Sequence, residues 1–323
     1  MNLPNFKTNC IYILMSKIKR HYLEREKKLS YGNENPDKIF YIIGQNDFTC
    51  GLWWIINKVT MHLAYADEKG YIPIIDYLNY HTQYHSKEEI GLINVWEKFF
   101  QQPAGLSLND IARCKNIILS DQYNAPSKKY LMGNTDFYTD ISKRQYFIKY
   151  FKKYIRFSPA TYDYIDKTRK AIIPDKSRVL GVLCRGTDYV INKPKGHPIP
   201  PTTKEVLTKV HEVIEKYKCD FIFLATEDDS ILKAFENKFK NKLLYVQQKR
   251  ITYNQMADAE NIMEASIKIN QNRYKMGLDY LCATYILSTC NCFIGTRCGG
   301  TKGVLMMTNG FEFEYIYNKG FYK

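Results

Sequence analysis

Residues 178–229 read RVLGVLCRGTDYVINKPKGHPIPPTTKEVLTKVHEVIEKYKCDFIFLATEDD, and the fold is decided here. VLGVLC (179–184) is a continuous apolar run, the pattern of a strand buried on both faces. TTKEVLTKVHEVIEKYK (202–218) carries its apolar residues at helical spacing, opened by a threonine cap with Glu205 in the first turn. DFIFLAT (220–226) is a second buried strand. Strand, helix and strand in this order make a parallel unit, with the polar residues RGTD and TEDD at the ends of its strands.

The alternation continues downstream. DDSILKAFENKF (228–239) predicts a helix, KLLYVQ (242–247) a short strand and MGLDYLCATYILSTC (276–290) a helix. NCFIGT (291–296) then predicts a strand, and GGTKGVLMMTNG (299–310) a helix behind a Gly-rich turn. Upstream, IFYIIG (39–44), TCGLWWIINKVTMHLAYADEKG (49–70) and YIPIIDYL (71–78) form another strand–helix–strand unit, its helix closed by Gly70. Between the two, GLINVWEKFFQQP (91–103) and DISKRQYFIKYFKKYIRFSP (140–159) read as helices, and 174–177 as a linker. The expected architecture is α/β: two Rossmann-like domains with parallel sheets facing a cleft. Its expected parts are a basic segment at 1–37, an N-terminal α/β domain at 38–175 and a C-terminal Rossmann-like domain at 176–323. The sequence shows no internal repeat.

The chain has 323 residues, 45% of them hydrophobic, with 27 tyrosines and a formal net charge of +14. That length supports a large core. The charge implies anionic partners, such as phosphorylated small molecules or an anionic membrane surface. Neither zinc-finger spacing nor an RNA-recognition aromatic motif is present, so nucleic acid is not an expected partner. The tyrosines fit a surface for flat polar ligands, or simply the usage of an AT-rich genome, in which Lys, Asn and Ile are abundant too. Nine cysteines, mostly inside apolar runs, are expected as reduced thiols of a cytosolic protein. The CNC at 290–292 with Cys298 lacks a histidine or a second spaced pair, so no metal is expected. CIYILM (10–15) is too short to span a bilayer and lacks a cleavage signature. Residues 9–28 are expected as a helix, either solvated or resting on an anionic membrane.

Three polar clusters fall at strand ends: Arg185-Gly186-Thr187-Asp188, Thr226-Glu227-Asp228-Asp229, and Thr296-Arg297-Cys298-Gly299-Gly300-Thr301. In doubly wound folds such ends share one crevice, where ligands bind. An arginine there grips two phosphate oxygens at once with a permanent charge. The TRCGGTKG turn offers backbone N–H groups at a helix N-terminus. Walker and GxGxxG spacings are both missing, which disfavours ATPase and dinucleotide readings. Asp188 beside Arg185 is open to two roles, general base or helix cap and salt bridge. His197, between Gly196 and Pro198, is open to ligand binding or to a structural turn.

Taken in order, Cys50-Gly51 with Ala64-Tyr65, NVWEKFFQQP (94–103), RGTD (185–188), GHPI (196–199), FLATED (223–228) and LSTCNCFI (287–294) resemble the α-1,6-fucosyltransferase group, related to the protein O-fucosyltransferases. The resemblance spans about residues 40–310. It implies a GT-B-like pair of Rossmann domains and an inverting glycosyltransferase, independent of metal, that uses GDP-fucose. The expected acceptor is a glycan, free or lipid-linked, in surface polysaccharide or glycoconjugate synthesis in the cytoplasm or at the inner membrane face, and the basic charge fits such a donor and acceptor. Arg185 matches the family arginine that holds the donor β-phosphate, and Thr187 and Asp188 match the Thr-Asp pair beside it. The candidate donor contacts are His197, Asp228, Asp279, Thr296, Arg297, Gly299, Gly300 and Thr301; Asp279 lies about one helical turn before the position of the family aspartate, and Thr296 and Thr301 stand in for a family Ser-Ser-Gln that is Cys298-Gly299-Gly300 here. Asp188 is the first candidate for general base and Glu227 the second. This chain departs from the family where Gly186 replaces a second arginine and Leu183 replaces a histidine that helps hold guanine. The alternatives are a transferase of the same fold with another nucleotide sugar, and a glycan- or phosphate-binding module without catalysis.

Overall fold

A computed structural model of the chain describes residues 24–46, 50–133, 136–259, 262–270 and 272–323, with the side chains of 187, 188, 262 and 263 outside that description. Its first sheet contains β1 (Lys27–Leu29), β2 (Phe40–Ile43), β3 (Ile72–Ile75) and β4 (Ile117–Leu119), in the order β1-β4-β2-β3. β2 pairs parallel with both β3 and β4, while β1 runs antiparallel along β4. Lys27 and Lys28 therefore stand in a strand, where the sequence predicted the end of a helix. The rest of that predicted helix lies outside the described residues.

Helix α1 (Leu52–Lys69) connects β2 to β3 and ends at Gly70, whose φ of 69° suits the left-handed turn. α2 (Val95–Phe99) is much shorter than the predicted 91–103 helix. Gly91 has φ 74°, Asn94 caps the start, and Phe100 is already extended in a bridge to Phe157. Trp96, Phe99 and Phe100 are all buried, and Phe100 reaches the core from extended backbone rather than from a helical turn. Next come α3 (Asp136–Thr139), α4 (Ile141–Tyr154) capped by Asp140, and α5 (Pro159–Ile172) capped by Ser158.

The second sheet holds β5 (Val179–Leu183), β6 (Phe221–Ala225), β7 (Leu243–Leu244), β8 (Cys292–Thr296) and β9 (Phe313–Tyr317), all parallel, in the order β7-β6-β5-β8-β9. Among them run α6 (Thr187–Ile191), α7 (Thr203–Tyr217), α8 (Asp229–Phe239), α9 (Tyr253–Ala257), α10 (Ile262–Ile269), α11 (Arg273–Ser288) and α12 (Gly299–Met307). The capping box at the start of α7 forms as predicted, with Thr202 and Glu205 each accepting from the other's backbone. β5 is buried at every residue, as its unbroken apolar run requires.

The largest apolar core joins the two sheets through helices. Trp53, Ile56 and Val59 of α1 belong to the same buried cluster as Val304 and Leu305 of α12 and Leu281 and Ile286 of α11. Trp53 donates its indole N–H to Thr284 Oγ1 at 2.9 Å. A Cβ on Gly303 would lie 2.5 Å from the Trp53 ring, so the glycine sets how closely α12 approaches α1. Among the described residues no helix is long and apolar enough to cross a membrane.

Candidate active site

β6, β5 and β8 lie side by side and parallel, so the residues that follow them emerge along one edge of the sheet. The three predicted polar clusters are those residues. Glu227, after β6, binds the loop after β5: its Oε1 accepts the Gly186 N–H at 3.0 Å and lies 3.4 Å from Arg185 Nε. Arg185 also rests on the Tyr189 ring, with Cζ 4.5 Å from the centroid. Tyr189 in turn meets the His197 ring edge-on at 5.3 Å. The His197 loop is tied to the last residues of the chain, with Gly196 N–H donating to Tyr322 O and Tyr322 N–H to His197 O. His197 is thereby linked to Arg185 through one tyrosine.

The loop after β8 has a different character. Arg297 is only 6% exposed, yet its Nε has no hydrogen-bond partner and no carboxylate pairs with it among the described residues. Its guanidinium lies 5.5 Å from the Tyr138 ring centroid. The Tyr138 hydroxyl fixes this loop, accepting the Cys298 N–H at 3.1 Å and donating to Cys298 O at 2.7 Å. Thr296 Oγ1 is buried without a partner. Thr301 Oγ1 donates to Thr296 O and so holds the first turn of α12 against the end of β8. Cys298 stands at the N-cap of α12 without capping it, and no acidic side chain occupies the first turn. A buried, uncompensated guanidinium beside open helix N–H groups is a strong anion site.

Gly299 and Gly300 are needed for close packing. A Cβ at 299 would lie 3.3 Å from Trp53 Cβ, and one at 300 would lie 2.4 Å from the Tyr280 hydroxyl. Tyr280 thus reaches the start of α12, and Cys298, Arg185 and Glu227 all act on its hydroxyl electrostatically. Burial first, then the Cys298 thiol, raises its pKa well above the ordinary tyrosine range. Tyr84 is also nearby, and its hydroxyl accepts the Leu52 N–H at the start of α1. Lys302, one turn into α12, is buried and donates to Met132 O at 3.1 Å; burial lowers its pKa to about 8.

Two expected donor contacts are engaged elsewhere. Asp228 Oδ1 caps α8, accepting from the N–H groups of Ser230 and Ile231. Asp279 is buried, and its Oδ1 accepts from Tyr164 of α5 and from Lys275. The site-facing residue of α11 is its neighbour Tyr280, displaced by the 100° that separates consecutive residues on a helix. The side chains of Thr187 and Asp188 lie outside the described ones, although their backbone opens α6 beside Arg185. Gly186 has no room for the arginine found in the resembled family. A Cβ there would lie 2.3 Å from Asp228 Oδ2 and 2.8 Å from Ile231 Cδ1. Cys292 and Cys298 stand at opposite ends of β8, and no three His, Cys, Asp or Glu side chains among the described residues gather as a metal site.

No protein-family model and no curated protein sequence matches the chain. Solved structures do. The fucosyltransferase NodZ from Bradyrhizobium superposes with a TM-score of 0.50 over 84% of this chain and 93% of its own, at 14% identity. POFUT1 in complex with GDP-fucose gives 0.48 over 88% of this chain and 99% of its own, at 11% identity. The fold is GT-B-like. The architecture expected from the ordered motifs is therefore present, with one antiparallel edge strand, β1, added to the first sheet.

Proposed function

We propose that the chain is a glycosyltransferase that moves fucose from GDP-fucose to a glycan acceptor, with inversion and without a metal. The observation that carries this reading is Arg297, a buried guanidinium without a carboxylate partner among the described residues, placed at the uncapped start of α12. Arg185 comes to the same sheet edge from the neighbouring strand. A nucleoside diphosphate supplies the charge that this arrangement lacks. The fold shared with a fucosyltransferase and the ordered sequence motifs support the same reading.

In the proposed reaction an acceptor hydroxyl attacks the anomeric carbon of the donor sugar. The bond from that carbon to the β-phosphate oxygen breaks, and its electron pair leaves with the nucleoside diphosphate. Arg185, Arg297 and the N–H groups of Gly299 and Gly300 stabilise the charge that develops on the leaving oxygen. Asp188 takes the proton from the acceptor hydroxyl, since Glu227 is already engaged with the Gly186 N–H and with Arg185. Thr296 Oγ1 is a further donor-side contact, whereas Thr301 acts through the turn it holds. We assign the donor to residues 176–323 and the acceptor to residues 38–175. The acceptor we propose is a surface-glycan precursor, presented at the cytoplasmic face of a membrane.

A second reading, the same fold with a different nucleotide sugar, is favoured by Leu183 and by the closed space at Gly186. Thermal-shift titration with GDP, UDP, CMP and dTDP, followed by hydrolysis assays of the corresponding sugar nucleotides, separates the two. Preferential stabilisation by GDP is expected, and preference for UDP would replace fucose with another sugar. Arg297→Ala and Arg185→Ala are each expected to lower donor hydrolysis by about 100-fold. Hydrolysis that survives both changes would place the site elsewhere, and nucleotide binding by the wild type without hydrolysis of any donor would leave a binding module.

A further inference from the structure

We propose that Trp54, on the first turn of α1, is the surface on which a pyranose ring of the acceptor stacks. The inference deepens the transferase reading and rests on it. Helix α1 starts from the loop after β2, at the C-terminal edge of the first sheet. Its first turn abuts the first turn of α12, because Trp53 packs beneath Gly303 and lies beside Gly299. The next residue, Trp54, is turned outward. It is 49% exposed, whereas Trp53 and Trp96 are buried at 2% and 3%.

The exposed indole is held in place. Lys58, one turn along α1, is 7% exposed and places its ammonium 5.4 Å from the ring centroid. The same ammonium donates to Tyr123 O at 2.6 Å, which fixes it to the loop after β4. An indole restrained from one side by a buried lysine has lost much of its side-chain freedom, so stacking a ligand on its exposed surface costs little further entropy. An apolar ring with exposed area beside a polar site suits the C–H face of a sugar, which pairs flat apolar area with hydroxyls at its rim.

Asn57 supplies a polar contact on the same face. It lies three residues from Trp54, adjacent on the helix surface, and its Oδ1 is buried without a hydrogen-bond partner. Its Nδ2 lies 3.7 Å from the Cβ position of Gly299, at the seam between α1 and α12. An acceptor ring on Trp54 would direct a hydroxyl toward that seam, where the diphosphate site begins. A nucleobase is the competing aromatic partner, and the experiment below distinguishes it.

The chain has three tryptophans, so 5-fluorotryptophan labelling gives three ¹⁹F resonances, with Trp54 assigned by its loss in Trp54→Phe. Methyl β-D-glucopyranoside, methyl β-D-galactopyranoside and N,N′-diacetylchitobiose are titrated to about 100 mM, with and without GDP. At least one saccharide is expected to shift the Trp54 resonance saturably while the two buried resonances stay fixed. Saturation transfer to that saccharide should fall about fivefold in Trp54→Ala and persist in Trp54→Phe. If GDP binds and no saccharide moves Trp54, the platform is wrong and the transferase reading stands. A Trp54 shift driven by GDP alone would assign the ring to the base and overturn the inference. A saccharide shift in a protein that binds none of the four nucleotides would keep the platform and remove the transferase.

Discussion

Gly186 shows how one residue constrains the chemistry of this site. Its N–H is held by Glu227, and its missing side chain makes room for the carboxylate that caps α8. Arginine at this position would have to displace Asp228 from the cap or push Ile231 out of the apolar cluster it shares with Val182 of β5 and Leu224 of β6. Gly186→Arg is therefore expected to leave GDP affinity unimproved and to lower stability by about 1–3 kcal/mol, the range of overpacking. Thermal melts with parallel GDP titration check both points, and tighter GDP binding in a stable variant would refute the packing argument. Residue-level roles were only partly legible in the sequence. Arg185, Glu227 and Arg297 could be placed together because parallel strands bring their ends to one edge. Tyr138, Tyr189 and Tyr280 gave no signal, since among 27 tyrosines none stands out. Their contacts also depend on packing: Tyr138 and Cys298 are 160 residues apart in sequence.

At the scale of elements, legibility followed burial. Strands covered on both faces leave continuous apolar runs, so β2, β3, β5, β6 and β8 were readable with their helices. Strand β4 has only three residues and α5 buries little beyond Thr161 and Ile165, so neither carries a strong pattern. The predicted 91–103 helix failed at its ends: Trp96, Phe99 and Phe100 do have helical spacing, but Gly91 takes a left-handed turn and Phe100 is extended in its bridge to Phe157. The α1–α12 crossing was invisible for another reason: its determinant is a missing side chain. Gly303→Ala would place a methyl group 2.5 Å from three ring carbons of the buried Trp53. The helices must separate or the indole must turn and release Thr284, at a cost of about 1–3 kcal/mol. Denaturant unfolding should show that loss, accompanied by weaker nucleotide binding because α12 carries the anion site. Wild-type stability in this variant would mean that Trp53 does not fix the crossing.

At the scale of the whole molecule, two buried basic groups set pH responses of the same sign in two separate windows. His62 lies in the first unit, its Nδ1 2.7 Å from the Tyr41 hydroxyl and its Nε2 3.1 Å from Asn124 O. Burial lowers its pKa to about 4, so the folded ring stays neutral where the unfolded one gains a proton. Between about pH 6.5 and 4 the unfolded state binds more protons, and stability falls as pH falls through that window, by on the order of 3 kcal/mol from this group. His62→Gln should unfold less steeply with acid, as measured by urea midpoints at pH 4.5 and 7. An unchanged slope would show that other groups set the acid limit. Lys302 acts at the other end of the scale and at the seam between the two sheets, where α12 meets Met132. With its folded pKa near 8, below the ordinary lysine value, the unfolded state holds the extra proton between about pH 8 and 10.5. Stability from this group therefore rises with pH across that interval, because the cost of burying the ammonium disappears as the folded amine deprotonates. Lys302→Met removes that dependence, so the difference in urea midpoint between variant and wild type should narrow or reverse in the direction of the wild type from pH 8 to 10. A constant difference would show that the Lys302 ammonium is not desolvated at the seam, and that the start of α12 is held against the first unit by Trp53 and Tyr138 without it.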